Sequence, residues 1–162
     1  MQQRIINRVE SDPHYHRYLG SFQPKSDGSA AAAIILAARQ IAQSVNAKAI
    51  VSFTVGGTTA QRASKKRPAV PILAISPLKE TCRQLSLSWG VYPEFAGPDN
   101  FDTDNFRDML RSACEIAVRK GLATDPNDLL VVTAGFPFAT PGAANVIRVV
   151  PAAGPSHWDA SL

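Results

Sequence analysis

The sequence predicts an α/β fold, a three-layer α/β/α sandwich around a sheet of about five mostly parallel strands with an antiparallel strand at one edge. Short, β-branched, almost uninterrupted apolar runs alternate with helical segments, and strands apolar on both sides belong to a parallel sheet covered on both faces. The last two such runs have no helix between them, so the final strand lacks a right-handed crossover and is expected to join antiparallel at an edge. A chain of 162 residues with 45% hydrophobic and 19% charged residues is one domain's worth, able to bury a core without metal or disulfide support.

The elements follow from local patterns. Gln2 to Ser11 places Ile5, Ile6 and Val9 at helical spacing, and Asp12-Pro13 stops that segment. Residues 12 to 28 are polar and turn-rich, without periodicity. Ser29 to Ser44 is a helix with Ile34, Ile35, Ala38 and Ile41, capped by Asp27 or Ser29 and ending near Asn46. Ile50 to Phe53 is a strand, followed by a glycine-hydroxyl turn and a helix from about Thr58 to Lys66, halted by Pro68. Pro71 to Ile75 is the next strand. Ser76-Pro77 then reads as a helix cap with proline at the first helical position, opening a helix over 78–88, and Val91 to Phe95 is a further short strand. After a polar loop at 97–102, Asp102 or Thr103 caps a long helix to Lys120 whose apolar stripe includes Phe106, Met109, Leu110, Ala113 and Ile116, with Gly121 ending it. Leu129 to Thr133 is a buried strand, 134–144 a loop rich in Gly, Pro and Ala, and Asn145 to Val150 the last strand before a fraying tail.

Composition limits the function classes. The net charge of +4 is scattered, and its densest cluster, Lys65-Lys66-Arg67, falls where a helix ends and cations complement the dipole. No nucleic-acid partner is predicted. No apolar run reaches bilayer-spanning length and the start lacks an apolar leader core, which predicts no membrane association and a cytoplasmic address. Cys82 and Cys114 fall in helical segments beside apolar neighbours with no ligand spacing around them, so reduced structural thiols are expected. His14 and His16 have no third ligand nearby, and no metal site is predicted; His157 and Trp158 have no assigned role.

The feature that carries chemistry is the turn Thr54-Val55-Gly56-Gly57-Thr58-Thr59. Gly56 and Gly57 permit a tight backbone, Thr58 and Thr59 add hydroxyl donors, and a helix opening near Thr58 adds unpaired N–H groups at the positive end of its dipole. Such a turn seats a phosphate. Its bland counterpart is an ordinary strand-to-helix connection, since the pattern is far less diagnostic than a complete P-loop. In open α/β sheets ligands bind beyond the carboxyl ends of the strands, where this turn and the Gly135 loop both belong. A dinucleotide-binding module is disfavoured: the turn does not spell Gly-x-Gly-x-x-Gly, and no acidic residue ends the next strand at Ile75.

Taken together, Asn46-Ala47-Lys48-Ala49-Ile50-Val51, Thr58-Thr59-Ala60, Ser64-Lys65-Lys66-Arg67-Pro68, Trp89-Gly90-Val91-Tyr92-Pro93, Asp128 to Gly135 and Pro141-Gly142-Ala143-Ala144-Asn145-Val146-Ile147 resemble, in order and spacing, the C-terminal α/β domain of pyruvate kinase over roughly residues 29 to 151. The resemblance divides the chain into residues 1–28, similar to the helix leading out of the family's catalytic barrel with its connecting loop, a domain at 29–151, and a tail at 152–162. It implies an allosteric and assembly role in a glycolytic phosphotransferase. Transfer from phosphoenolpyruvate to ADP would occur in a TIM barrel with Mg²⁺ and K⁺, for which this chain supplies neither barrel nor catalytic residues nor cofactor. Alone, it is expected to be catalytically silent, whether an excised portion of an enzyme or a stand-alone relative.

The same resemblance implies a phosphorylated effector on Thr54, Val55, Gly56, Gly57, Thr58 and Thr59, with the loop carrying Gly135, Thr140, Pro141 and Gly142 closing over it, and a homo-oligomeric contact. Two departures weaken the site: Gly56 replaces the family's usual hydroxyl before the second glycine, and Thr58 replaces a basic residue often found after it. One charge-assisted donor is thereby lost, worth about 1.5–3 kcal/mol. No Arg or Lys occurs over 136–144 to meet a second phosphate, which favours a sugar monophosphate or nucleotide monophosphate over a bisphosphate. The alternatives are a stand-alone phosphate-ligand sensor and an assembly-only domain that has lost effector binding.

Overall fold

Two short helices lead the chain, α1 (Gln2–Glu10) and α2 (Pro13–Ser21), in a computed structural model that describes residues 2–21, 28–97, 106–136 and 144–154. Over Pro13–Ser21 the polar stretch after Asp12 is helical, contrary to that part of the turn-rich reading of 12–28, of which 22–27 lie outside the described residues. Asp12 supplies the reason: its carboxylate accepts from the His14 amide at 2.7 Å, and Pro13 fills the first helical position, where no N–H is needed. Asp12-Pro13 therefore ends one helix and starts another.

The α/β unit begins with α3 (Ala30–Ser44), capped by Ser29, whose hydroxyl accepts from the Ala32 amide at 3.2 Å. Then follow β1 (Ala49–Phe53), α4 (Thr58–Lys65), β2 (Ile72–Ser76), α5 (Lys79–Leu85), β3 (Val91–Phe95), α6 (Phe106–Arg119), β4 (Leu129–Gly135) and β5 (Ala144–Pro151). The expected caps at Asp102 and Thr103 lie outside the described residues. Ser76 is the last residue of β2 rather than a helix cap, and α5 starts three residues later with Leu78 at its N-cap. A hydroxyl followed by proline mimics a helix start, but Ser76 accepts only from the Leu78 amide, before the helix begins, and donates to the Val55 carbonyl of the neighbouring turn.

The strands form one sheet in the order β3-β2-β1-β4-β5. β1 pairs in parallel with β2 (Phe53 opposite Ile75) and with β4 (Ser52 opposite Thr133), β2 pairs in parallel with β3, and β5 lies antiparallel on β4 at the edge. The five-stranded mixed sheet and the antiparallel edge are thus as the sequence predicts. β4 and β5 each run further into the expected 134–144 loop, so that Gly135 pairs with Ala144.

Side-chain alternation along the strands divides the core into two layers. Val51, Phe53, Leu73, Ile75, Leu130 and Val132 pack with Met109, Leu110 and Ala113 of α6 on one face. Ile72 and Ala74 pack with Ile35, Ala60, Ala63 and Leu85, drawn from α3, α4 and α5, on the other. Fully burying a Leu or Ile contributes about 1.5–3 kcal/mol, and Ile35, Ile50, Ile72, Leu73, Ile75 and Leu110 are each at most 2% exposed. After β5 the chain does not leave the fold at once: the Ala152 and Ala153 amides donate to the Asp128 and Pro126 carbonyls at 2.8 and 2.9 Å. Among the described residues no helix is long and apolar enough to cross a membrane.

Candidate functional site

From the central strand β1 the chain moves one way to β2 and β3, then jumps across to β4 on the other flank. The strand order therefore reverses at β1 and β4, and the crevice outside their carboxyl ends is where open α/β sheets accept ligands. Thr54 to Thr59 follow β1 there. Gly135 closes β4 at the same end, and Asn145 ties the two stems of the following loop by accepting from the Phe136 amide at 2.8 Å and donating to the Phe136 carbonyl. Thr140, Pro141 and Gly142 lie outside the described residues.

The turn is built by spending its carbonyls and keeping its amides. Thr54 is 7% exposed and its amide donates to the Ile75 carbonyl at 3.0 Å, extending the sheet by one residue. The Val55 carbonyl accepts from two hydroxyls, Ser76 at 3.1 Å and Thr81 at 2.8 Å. Because a trans peptide points its N–H opposite its C=O, this double hold toward β2 and α5 turns the Gly56 amide the other way. The first bond of α4 is Gln61 N–H to the Gly57 carbonyl at 2.9 Å. The amides of Val55 to Ala60 have no acceptor among the described residues, and those of Thr58, Thr59 and Ala60 are the orphan donors of a helix start. Gly56 and Thr58 are exposed and Thr59 is half-buried.

The two glycines are not equivalent. Gly57 holds φ +82°, the left-handed region, and a Cβ there would meet Thr81 Cγ2 at 3.3 Å and Leu85 Cδ2 at 3.4 Å. Both backbone and packing require glycine at that position. Gly56 has no positive φ, and a Cβ added to it would meet no atom within 4 Å, so the tight backbone predicted for both glycines rests on Gly57 alone. Ser76 and Thr81, which orient the turn, are not legible as site residues in the sequence: each is a single hydroxyl 21 or 26 residues from its acceptor.

Titratable chemistry lies elsewhere. Burial pushes the Cys114 thiol up to about 11, and burial likewise raises Cys82, so neither is a ready thiolate. Partial burial pulls Glu94 upward, yet the Lys120 ammonium at 2.7 Å and the Arg119 guanidinium at 2.6 Å outweigh it and hold the carboxyl below its ordinary value. No group of three His, Cys, Asp or Glu suited to a metal occurs among the described residues. A cavity of about 510 Å³ between α6 and Ala152–Gly154, bordered by Arg111 and Cys114, opens beneath the other face of the sheet. The turn itself is an open shelf of amides and hydroxyls, suited to holding an anion and lacking a general base or nucleophile.

Comparison with known proteins places this geometry in a family. Residues 32–150 match the family model described as pyruvate kinase, alpha/beta domain. A pyruvate kinase of Agrobacterium vitis is 40% identical over 149 residues, covering 92% of this chain and 30% of that protein. One of Methylorubrum extorquens is 35% identical over 146 residues, covering 90% and 30%. A crystal structure of a pyruvate kinase from Cryptosporidium parvum superposes with a TM-score of 0.68 at 25% identity, over 85% of this chain and 25% of that one. The chain thus spans about a third of the length of the curated relatives it matches.

Proposed function

The chain belongs to the pyruvate kinase alpha/beta domain family, and from that premise we propose that it is the regulatory and assembly portion of a pyruvate kinase, with a seat for the phosphate of a small metabolite at residues 54–59. The observation that carries the seat is the run of amides from Val55 to Ala60 without an acceptor among the described residues, with the Gly56 amide turned away from the doubly held Val55 carbonyl and Gly56 and Thr58 exposed where strand order reverses. A helix start and successive turn amides concentrate positive potential without any cationic side chain. An anion bound there regulates an attached catalytic barrel only through a difference in affinity between two arrangements of the enzyme.

Phosphoryl transfer from phosphoenolpyruvate to ADP, with its Mg²⁺ and K⁺, belongs in this reading to the catalytic barrel, and the chain acts as its partner in a cytoplasmic homo-oligomer. The ligand is a sugar monophosphate or nucleotide monophosphate, because residues 136–144 contain no Arg or Lys for a second phosphate. Calorimetric titration of the chain with a sugar monophosphate, AMP and NAD tests the seat. Heat with either monophosphate, and none with NAD, is expected. Heat with NAD alone overturns the reading, and silence with all three leaves a domain that serves assembly only.

A further inference from the structure

Helix α4 is only eight residues long, about 12 Å at 1.5 Å per residue. Its N-terminus forms the proposed phosphate seat, and its other end grips Trp89. The Ser64 hydroxyl donates to the Trp89 carbonyl at 2.7 Å, and the Arg67 guanidinium lies 4.5 Å from the centroid of the Trp89 ring. Arg67 adopts φ +46°, a left-handed conformation that a non-glycine residue enters at a cost, and this bend in the backbone carries its side chain over the indole. The same ring donates from Nε1 to the Glu10 carboxylate at 2.9 Å, across 79 residues of sequence. Glu10 is the last residue of α1.

A nine-residue helix such as α1 is marginal in water by itself, and Ile5, Ile6 and Val9 are each about half exposed, so the direction of α1 depends on how its end is held. The geometry points to Arg67, Trp89 and Glu10 forming a latch that couples the position of α4, and with it the 54–59 turn, to the hold on α1. This coupling rests on the phosphate reading of the turn and adds to it a route by which occupancy reaches the N-terminal helices. Trp89 and Arg67 are positioning residues that touch no ligand.

The test follows amide hydrogen exchange of residues 2–10 in the full chain while calorimetry records binding of AMP and inorganic phosphate. Glu10→Ala removes the acceptor at an accessible helix end and should speed exchange over 2–10 by about ten- to a hundredfold, the worth of one hydrogen bond to a charged group. Arg67→Gly removes the cation and also relieves the left-handed strain. It should loosen residues 2–10 without lowering the unfolding midpoint, so that the change reports the latch and not a general loss of stability. In the unsubstituted chain, ligand heat should come with a changed exchange rate over 2–10, and in Arg67→Gly the heat should persist while that change disappears. Heat with unchanged exchange over 2–10 overturns the coupling and leaves the seat standing. Absence of heat removes seat and coupling together, and any effect of Glu10→Ala then describes a static joint only.

Discussion

Two turns of this molecule use the same donors in opposite ways. At residues 124–128 the Thr124 and Asp125 amides donate to the Asp128 carboxylate at 2.8 and 2.9 Å, while the Asn127 amide donates to the Asp125 carboxylate at 2.8 Å. The Asp125 and Thr124 amides, with the Lys48 ammonium 3.7 Å away adding a smaller pull, hold the Asp128 carboxyl below its ordinary value. At 54–60 a comparable run of amides meets no carboxylate among the described residues, and the turn itself supplies none, being built of Gly56, Gly57 and threonines around Val55. A turn with an anion of its own is a structural joint. A turn with the same donors and none is what the proposed phosphate seat requires.

Gly57→Ala should break the contrast most severely, since it forces a Cβ into a left-handed backbone and against Thr81 and Leu85. The backbone term alone costs about 1–2 kcal/mol, and the contacts at 3.3 and 3.4 Å add to it. Gly56→Ala, with open space and no positive φ, should leave the denaturant midpoint nearly unchanged. Equal losses for the two variants would show that the turn's shape is not set by Gly57.

Asp128→Asn tests the filled turn through pH. A carboxyl whose folded pKa is depressed contributes stability that is present above its unfolded value, near 3.9, and is lost as pH falls through the lower folded value. The native chain should therefore lose stability below about pH 4, and in Asp128→Asn the part of that loss due to this carboxyl should be missing. Thermal melts of both proteins across pH 3–6 measure the difference, and parallel curves would count against Asp128 as the turn's own anion.

Thr58→Asp gives the open turn a carboxylate at the first residue of α4. Charge at a helix N-terminus should stabilise the fold by about 0.3–1 kcal/mol, and the same charge should abolish calorimetric binding of a monophosphate. A stabilised protein that binds as before would place the ligand elsewhere.

Much of this contrast is legible in the letters. Gly-Gly-Thr-Thr after an apolar run, and its helix start at Thr58, announce the turn's donors, and the lack of a helix between the last two strands announces the antiparallel edge, because each is a local consequence of residue type and spacing. The distinction between the glycines is not legible there: it depends on Thr81 and Leu85 arriving from α5. Nor is Ser76, whose neighbour Pro77 imitates a helix start while its hydroxyl donates to the Val55 carbonyl and accepts from the Leu78 amide. The helix over Pro13–Ser21 escapes a reading by periodicity because its polar side chains show none, although Asp12 and Pro13 carry a start signal of their own.

By itself, then, the sequence determined the alternation of strands and helices, the place of the glycine-threonine turn and the lack of Arg or Lys within 54–59 and 136–144, all properties carried by short stretches of chain. Tertiary structure alone decided which way the Gly56 amide points, because that depends on hydroxyls 21 and 26 residues away holding the Val55 carbonyl. It also decided that Trp89 meets both Arg67 and Glu10. Hydrogen bonds and ring contacts depend on distance in space, and only packing of the layers brings remote residues within that distance.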